Sequence, residues 1–133
     1  MTNIDKSIEF VQINIGLITI SDSRIEENDK SGNILKERIE NFGHKVLKKK
    51  IIADDDEKIK KIITELSQDP LIDAIITTGG TGLTGRDTTP EAILDLADKV
   101  IDGFGELFRQ LSYEKIGTST IQSRAIAAII NHT

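Results

Sequence analysis

Three short strand-like runs alternate with amphipathic stretches at helical spacing in the first half of this chain, and that alternation leaves few folds open to it. Residues 13–20 (INIGLITI) are β-branched and apolar nearly throughout, the pattern of a strand buried on both faces. From Ser31, the residues Ile34, Leu35, Arg38, Ile39 and Phe42 recur at helical spacing, and Gly43 supplies a stop. Residues 46–52 predict a second strand, whose lysine-rich middle belongs near a sheet edge. Residues 55–67 predict a second helix with Ile59, Ile62, Ile63 and Leu66 on one face, and 71–77 (LIDAIIT) a third strand. Such alternation implies an α/β fold, a mostly parallel sheet with helices on both faces. Ligands of these sheets bind at the carboxyl ends of the strands. The loops 21–29, 53–55 and 78–88 therefore fall on the functional edge.

The second half is less explicit. Thr89-Pro90-Glu91 reads as a helix start, with Thr89 as the N-cap and proline at the first position. Another helix begins near Gly103 and carries Phe104, Leu107, Phe108 and Leu111 on one face. The run 125–130 (AIAAII) fits strand or helix by pattern alone. The 133 residues suffice for one domain, read as 13–133, behind a polar lead-in over 1–12.

Composition narrows the partners. A net charge of −5 argues against nucleic acid, which requires a basic face; Lys48-Lys49-Lys50 is answered by Asp54-Asp55-Asp56-Glu57. With no cysteine there is no disulfide, thiolate nucleophile or cysteine-held metal. The start MTNIDKSIEF lacks the apolar core of a signal peptide, and runs such as Ala74-Ile75-Ile76 are too short to span a bilayer. The expectation is a cytoplasmic protein with no membrane partner.

The chemistry gathers in TTGGTGLTGRDTTPEAI, residues 77–93. Gly80, Gly82 and Gly85 spell G-x-G-x-x-G, but a dinucleotide fingerprint should follow the first strand and open its helix at once. Gly80 to Gly85 also begins like a P-loop, yet Arg86-Asp87 stands where Lys-Ser or Lys-Thr is required. The physics common to both motifs remains: glycines let backbone N–H groups approach an anion, and a helix start follows. With Thr81, Thr84 and Thr88 nearby, an anion site is a better reading than a plain connection.

Among the acids, Asp54, Asp55 and Asp56 can serve a helix start, and for at least two of them that role is sufficient. Asp54 and Asp87 nonetheless sit on neighbouring loops of one edge, where both can approach a Mg²⁺-bound phosphate. His44 and His132 have no metal-ligand spacing, and there is no G-x-S-x-G elbow, so zinc-enzyme and hydrolase readings lose their support.

The opening GLITISDSR, the loop GGTGLTGRDTTPEAI and the stretch GFGELFRQLSYEKIGTSTIQSRAIA together resemble the MoaB/MogA group of molybdenum-cofactor biosynthesis proteins, most closely its MoaB branch. The likeness runs from about Ile13 onward. It implies a three-layer α/β/α fold that binds molybdopterin and adenylylates its phosphate with Mg-ATP, releasing pyrophosphate. A non-catalytic, oligomeric molybdopterin-binding protein is the alternative. By resemblance the two critical aspartates fall on Asp54 and Asp87, as catalytic and Mg²⁺-holding residues. The phosphate loop falls on Gly79, Gly80, Thr81 and Gly82, and a Ser-Asp element on Ser21 and Asp22. Homotrimers or homohexamers are implied as well. Two departures stand out: Ala53 where relatives often carry proline, and an end at Thr133 where relatives continue with a strand, a Pro-Gly-Ser loop and a final helix. On this reading 125–130 is a strand whose hairpin partner is lost.

Overall fold

A computed structural model describes residues 5–133; residues 1–4 of the expected lead-in lie outside the described residues. Three parallel strands form the main sheet in the order β2-β1-β3: β1 (Asn14–Ile20), β2 (Lys45–Ile52) and β3 (Ala74–Thr78). The central strand is β1, and six of its seven residues are buried, as an apolar run without alternation requires. The lysine-bearing β2 lies at an edge, where Lys45, Lys48 and Lys50 reach water.

Both faces are covered by helices. Ile15 and Leu17 point toward α1 (Lys30–Asn41), where they meet Ile39 and Leu35. Ile18 and Ile20, one residue out of phase, point the other way. They join Ile59, Ile63 and Leu66 of α2 (Asp56–Gln68) and Ala92 of α3 (Thr89–Leu96). The expected α/β architecture is therefore the observed one: helix layers enclosing a parallel sheet.

The second half departs from the pattern-based expectation. A two-residue strand, β4 (Lys99–Val100), precedes α4 (Asp102–Ile116) and pairs antiparallel with β5 (Ala128–Ile129). Only two residues of the 125–130 run are strand, and the strand's ladder partner is β4. Beyond it, Ile130 and Thr133 exchange two backbone hydrogen bonds of 3.0 and 2.9 Å. Between them Asn131 and His132 take φ of 49° and 70°, the left-handed pair that marks a type I′ hairpin turn. A run of small and apolar residues carries no signal for so short a ladder. The segment between α4 and β5 forms a 3-10 turn over Gly117–Gln122.

Along α4 the apolar face expected from the sequence is left open. Phe104, Leu107, Phe108 and Leu111 are all about half exposed. No helix among the described residues is long and apolar enough to cross a membrane.

Candidate functional site

The loops that follow β1, β2 and β3 meet at one edge of the sheet. Parallel pairing places the ends of the strands side by side, and the Ser21 amide continues the ladder by donating to the Ile52 carbonyl at 2.9 Å. Beyond that point side chains take over. Asp22 Oδ1 accepts the backbone N–H of Asp54 at 3.0 Å, which joins the first loop to the second. Arg86, in the glycine loop after β3, donates Nε to Asp22 Oδ2 at 3.1 Å and Nη2 to both Asp22 oxygens at 2.8 Å. Asp54 Oδ1 then accepts from the Thr88 amide at 3.4 Å and its hydroxyl at 3.3 Å, joining the second loop to the third.

Asp54 is buried and Asp22 is exposed. The Arg86 guanidinium, with help from the Asp54 amide, holds the Asp22 carboxyl below its ordinary range. The same pairing raises Arg86. Asp55 and Asp56 have the structural roles the sequence allowed. Asp55 is the N-cap of α2 and accepts the Lys58 N–H at 3.0 Å, while Asp56 pairs with Lys60 at 2.8 Å.

The glycine loop is shaped from inside and outside. Gly79 and Gly80 have φ of +99° and +68°, and a Cβ on either would stand 2.1 Å from Ile20 O or Thr89 Oγ1. The loop thus lies directly against the end of β1. Within it, Asp87 Oδ2 accepts the Thr84 amide at 3.0 Å and the Thr84 hydroxyl at 2.6 Å. Those two bonds, more than the charge of Arg124 nearby, hold the Asp87 carboxyl below its ordinary range. From outside, Arg124 donates to the Gly82 and Asp87 carbonyls at 2.8 and 2.7 Å.

The helix start differs by one residue from the expectation. Thr88 is the N-cap of α3, but its hydroxyl bonds to Asp54 instead of capping the helix. The Thr89 hydroxyl donates to the Gly79 carbonyl at 3.1 Å, so both threonines tie the helix to the site.

All eight residues singled out by the sequence and the resemblance occupy this edge: Ser21, Asp22, Asp54, Gly79, Gly80, Thr81, Gly82 and Asp87. Asp54 reaches the backbone of the residue next to Asp87, while the Asp87 carboxyl itself is turned into its own loop. Among the described residues, no group of three or more His, Cys, Asp or Glu could hold a metal ion by itself. Asp54 and Asp87 are carboxylates on adjacent loops, the donor type that magnesium takes alongside phosphate oxygens and water. Two site-forming residues have roles that the sequence did not assign. Arg86 counted toward an anion site only as half of an Arg-Asp pair, with no link to Asp22, and Arg124 lies 42 positions beyond the Gly82 carbonyl it grips.

The chain matches the family described as "Probable molybdopterin binding domain" over residues 16–132. It is 42% identical over 127 residues to molybdenum cofactor biosynthesis protein B of Escherichia coli K12, covering 96% of this chain and 75% of that protein. Against the Bacillus cereus protein of the same name the identity is 47% over 120 residues, with 90% and 71% covered. A crystal structure of a molybdenum cofactor biosynthesis protein B superposes with a TM-score of 0.87 at 45% identity, covering 90% of this chain and 75% of that one. The chain belongs to the MoaB family of molybdenum cofactor biosynthesis proteins.

Proposed function

We propose that this protein binds molybdopterin and adenylylates its terminal phosphate with Mg-ATP. The observation that carries the reading is the convergence of Asp54 and the glycine loop at the carboxyl ends of three parallel strands, cross-bonded through Thr88. In the proposed reaction a phosphate oxygen of molybdopterin attacks the α-phosphorus of ATP, the bond to the β-phosphate oxygen breaks, and pyrophosphate leaves. In-line transfer of this kind asks the protein for positioning and charge neutralisation, not for a nucleophile. Magnesium would supply charge that neutralises the reacting phosphates, and Asp54 and Asp87 are the residues that would hold it. Backbone N–H groups of Gly79, Gly80, Thr81 and Gly82 then face the phosphate, because glycine lets the main chain come close. Ser21 and Asp22 border the same edge, and Arg86 supplies a cation that an incoming phosphate can draw off Asp22.

One observation favours a second reading, an oligomeric protein that holds molybdopterin without turning it over. The Asp87 carboxylate already spends one oxygen on two bonds from Thr84, which a magnesium ion must compete against. Incubating the protein with Mg-ATP and molybdopterin separates the two. Adenylylated molybdopterin and pyrophosphate support the enzyme, whereas saturable molybdopterin binding without either product supports the binding protein. No binding at all overturns both.

The half-exposed apolar face of α4 supports a homo-oligomer, trimeric or hexameric, because an aromatic stripe of this kind is normally covered. A cytoplasmic setting, with ATP at hand, completes the proposal.

A further inference from the structure

Arg124 lies in the linker between α4 and β5, far in sequence from every loop of the site, yet it holds the glycine loop at both ends. Its Nε donates to the Gly82 carbonyl at 2.8 Å and, more weakly, to the Thr81 carbonyl at 3.4 Å. Nη2 donates to the Asp87 carbonyl at 2.7 Å, and Nη1 pairs with Glu91 on α3. All three nitrogens of the fork are thus committed, two of them to main-chain oxygens that bracket the segment bearing Arg86. The side chain is 27% exposed, so these bonds are partly shielded from water. Arg124 is itself held. Arg109 of α4 donates Nη1 to the carbonyls of Ser123 and Ala125, at 3.3 and 3.1 Å, on either side of it.

We infer that Arg124 is the positioning residue of the glycine loop: its guanidinium fixes the backbone at Gly82 and Asp87, and thereby the place of the Asp87 carboxylate and of the loop amides. The inference rests on the proposed phosphate-binding role of that loop. It follows from geometry that only arginine satisfies. Carbonyls five residues apart accept from two different nitrogens of one planar group, Nε and Nη2, and a lysine ammonium cannot span them. Glu91 acts only on the third nitrogen, so loss of that carboxylate should leave the grip on the loop in place.

The test compares R124K with E91Q in the whole chain. Hydrogen–deuterium exchange is followed in peptides covering 80–88 and, as a control, 14–20; binding of Mg-ATP and of molybdopterin is measured alongside. We expect R124K to exchange at least tenfold faster across 80–88 with 14–20 unchanged, and to bind the phosphate ligands at least tenfold more weakly. E91Q should stay within about twofold of the wild type in both. Wild-type exchange across 80–88 in R124K overturns the inference, as does equal behaviour of the two variants, which would make Arg124 only an ion-pair partner of α3. If R124K does not fold, R109Q, which frees the linker and leaves Arg124 intact, must accelerate 80–88 for the inference to stand. Should the wild type bind neither ligand, the proposed function fails, while the exchange comparison still decides the role of Arg124.

Discussion

Arg86 grips Asp22 through both carboxylate oxygens, with three donor–acceptor distances between 2.8 and 3.1 Å, and so closes the glycine loop onto the loop after β1. Because the pair stands in solvent, it is a latch more than a source of stability. Arg86→Ala should therefore change the melting temperature little but weaken binding of phosphate-bearing ligands about tenfold, with a shallower salt dependence than the wild type. Isothermal titration at low and high salt measures both. Unchanged affinity would mean that Arg86 serves only the latch.

Four neighbouring acids should separate cleanly. If the adenylylation reading holds, Asp54→Asn and Asp87→Asn each abolish product formation while the fold persists, as judged by circular dichroism. Asp56→Ala should be nearly silent in activity. Asp55→Ala loses the N-cap of α2 and should cost about 1 kcal/mol of stability with little effect on turnover. Equal loss of activity from all four would assign the acids to the helix start alone.

Asp29 offers a pH test. It is 1% exposed, caps α1 through the Gly32 amide, and accepts from the Thr19 hydroxyl at 2.7 Å and Lys49 at 3.0 Å. Burial pushes its carboxyl up, but the bonds from Thr19, Lys49 and Gly32 outweigh it and leave the group below its ordinary 3.8. A carboxyl depressed on folding stabilises the native state above its unfolded pKa, and that stability is lost as pH falls through the lower folded value. Asp29→Asn should cost about 2–4 kcal/mol at pH 7, and the gap to the wild type should shrink steadily below about pH 4. Urea unfolding of both proteins across pH 2–7 reads this directly. A gap independent of pH would contradict it.

Two glycines of one loop should respond oppositely to alanine. At Gly79, a positive φ and a Cβ 2.1 Å from the Ile20 carbonyl leave no room. Gly79→Ala should destabilise by about 3 kcal/mol or fail to fold. Gly85 has nothing within 4 Å of such a Cβ, so Gly85→Ala should melt within a degree or two of the wild type. Thermal melts followed by circular dichroism distinguish them.

The open face of α4 predicts assembly. Light scattering should give at least three times the chain mass of 14.7 kDa, and Phe108→Asp should lower it. A clean monomer in the wild type would remove the oligomer from the proposal.

The alternation of apolar runs and amphipathic helices was by itself enough to determine a parallel α/β sheet, because side-chain periodicity is local and burial follows it directly. It also placed Asp54 and the glycine loop at one edge, since parallel strands present their carboxyl ends together. The sequence further assigned at least two of Asp54, Asp55 and Asp56 to a helix start, and Asp55 and Asp56 are the two that have that role. What local pattern could not reach was decided by folding. The β4–β5 ladder is two residues long, too short to show a period; by pattern alone the run that holds β5 was ambiguous, and only the family resemblance made it a strand. Thr88, expected to be a loop hydroxyl, became a helix cap that gives its side chain to Asp54 instead. Arg86 and Arg124 find Asp22 and the loop carbonyls across 64 and 37–43 residues, separations over which no spacing rule operates. Main-chain carbonyls are the same at every position in a sequence, so which of them an arginine will grip is set only when the packed elements bring them within reach.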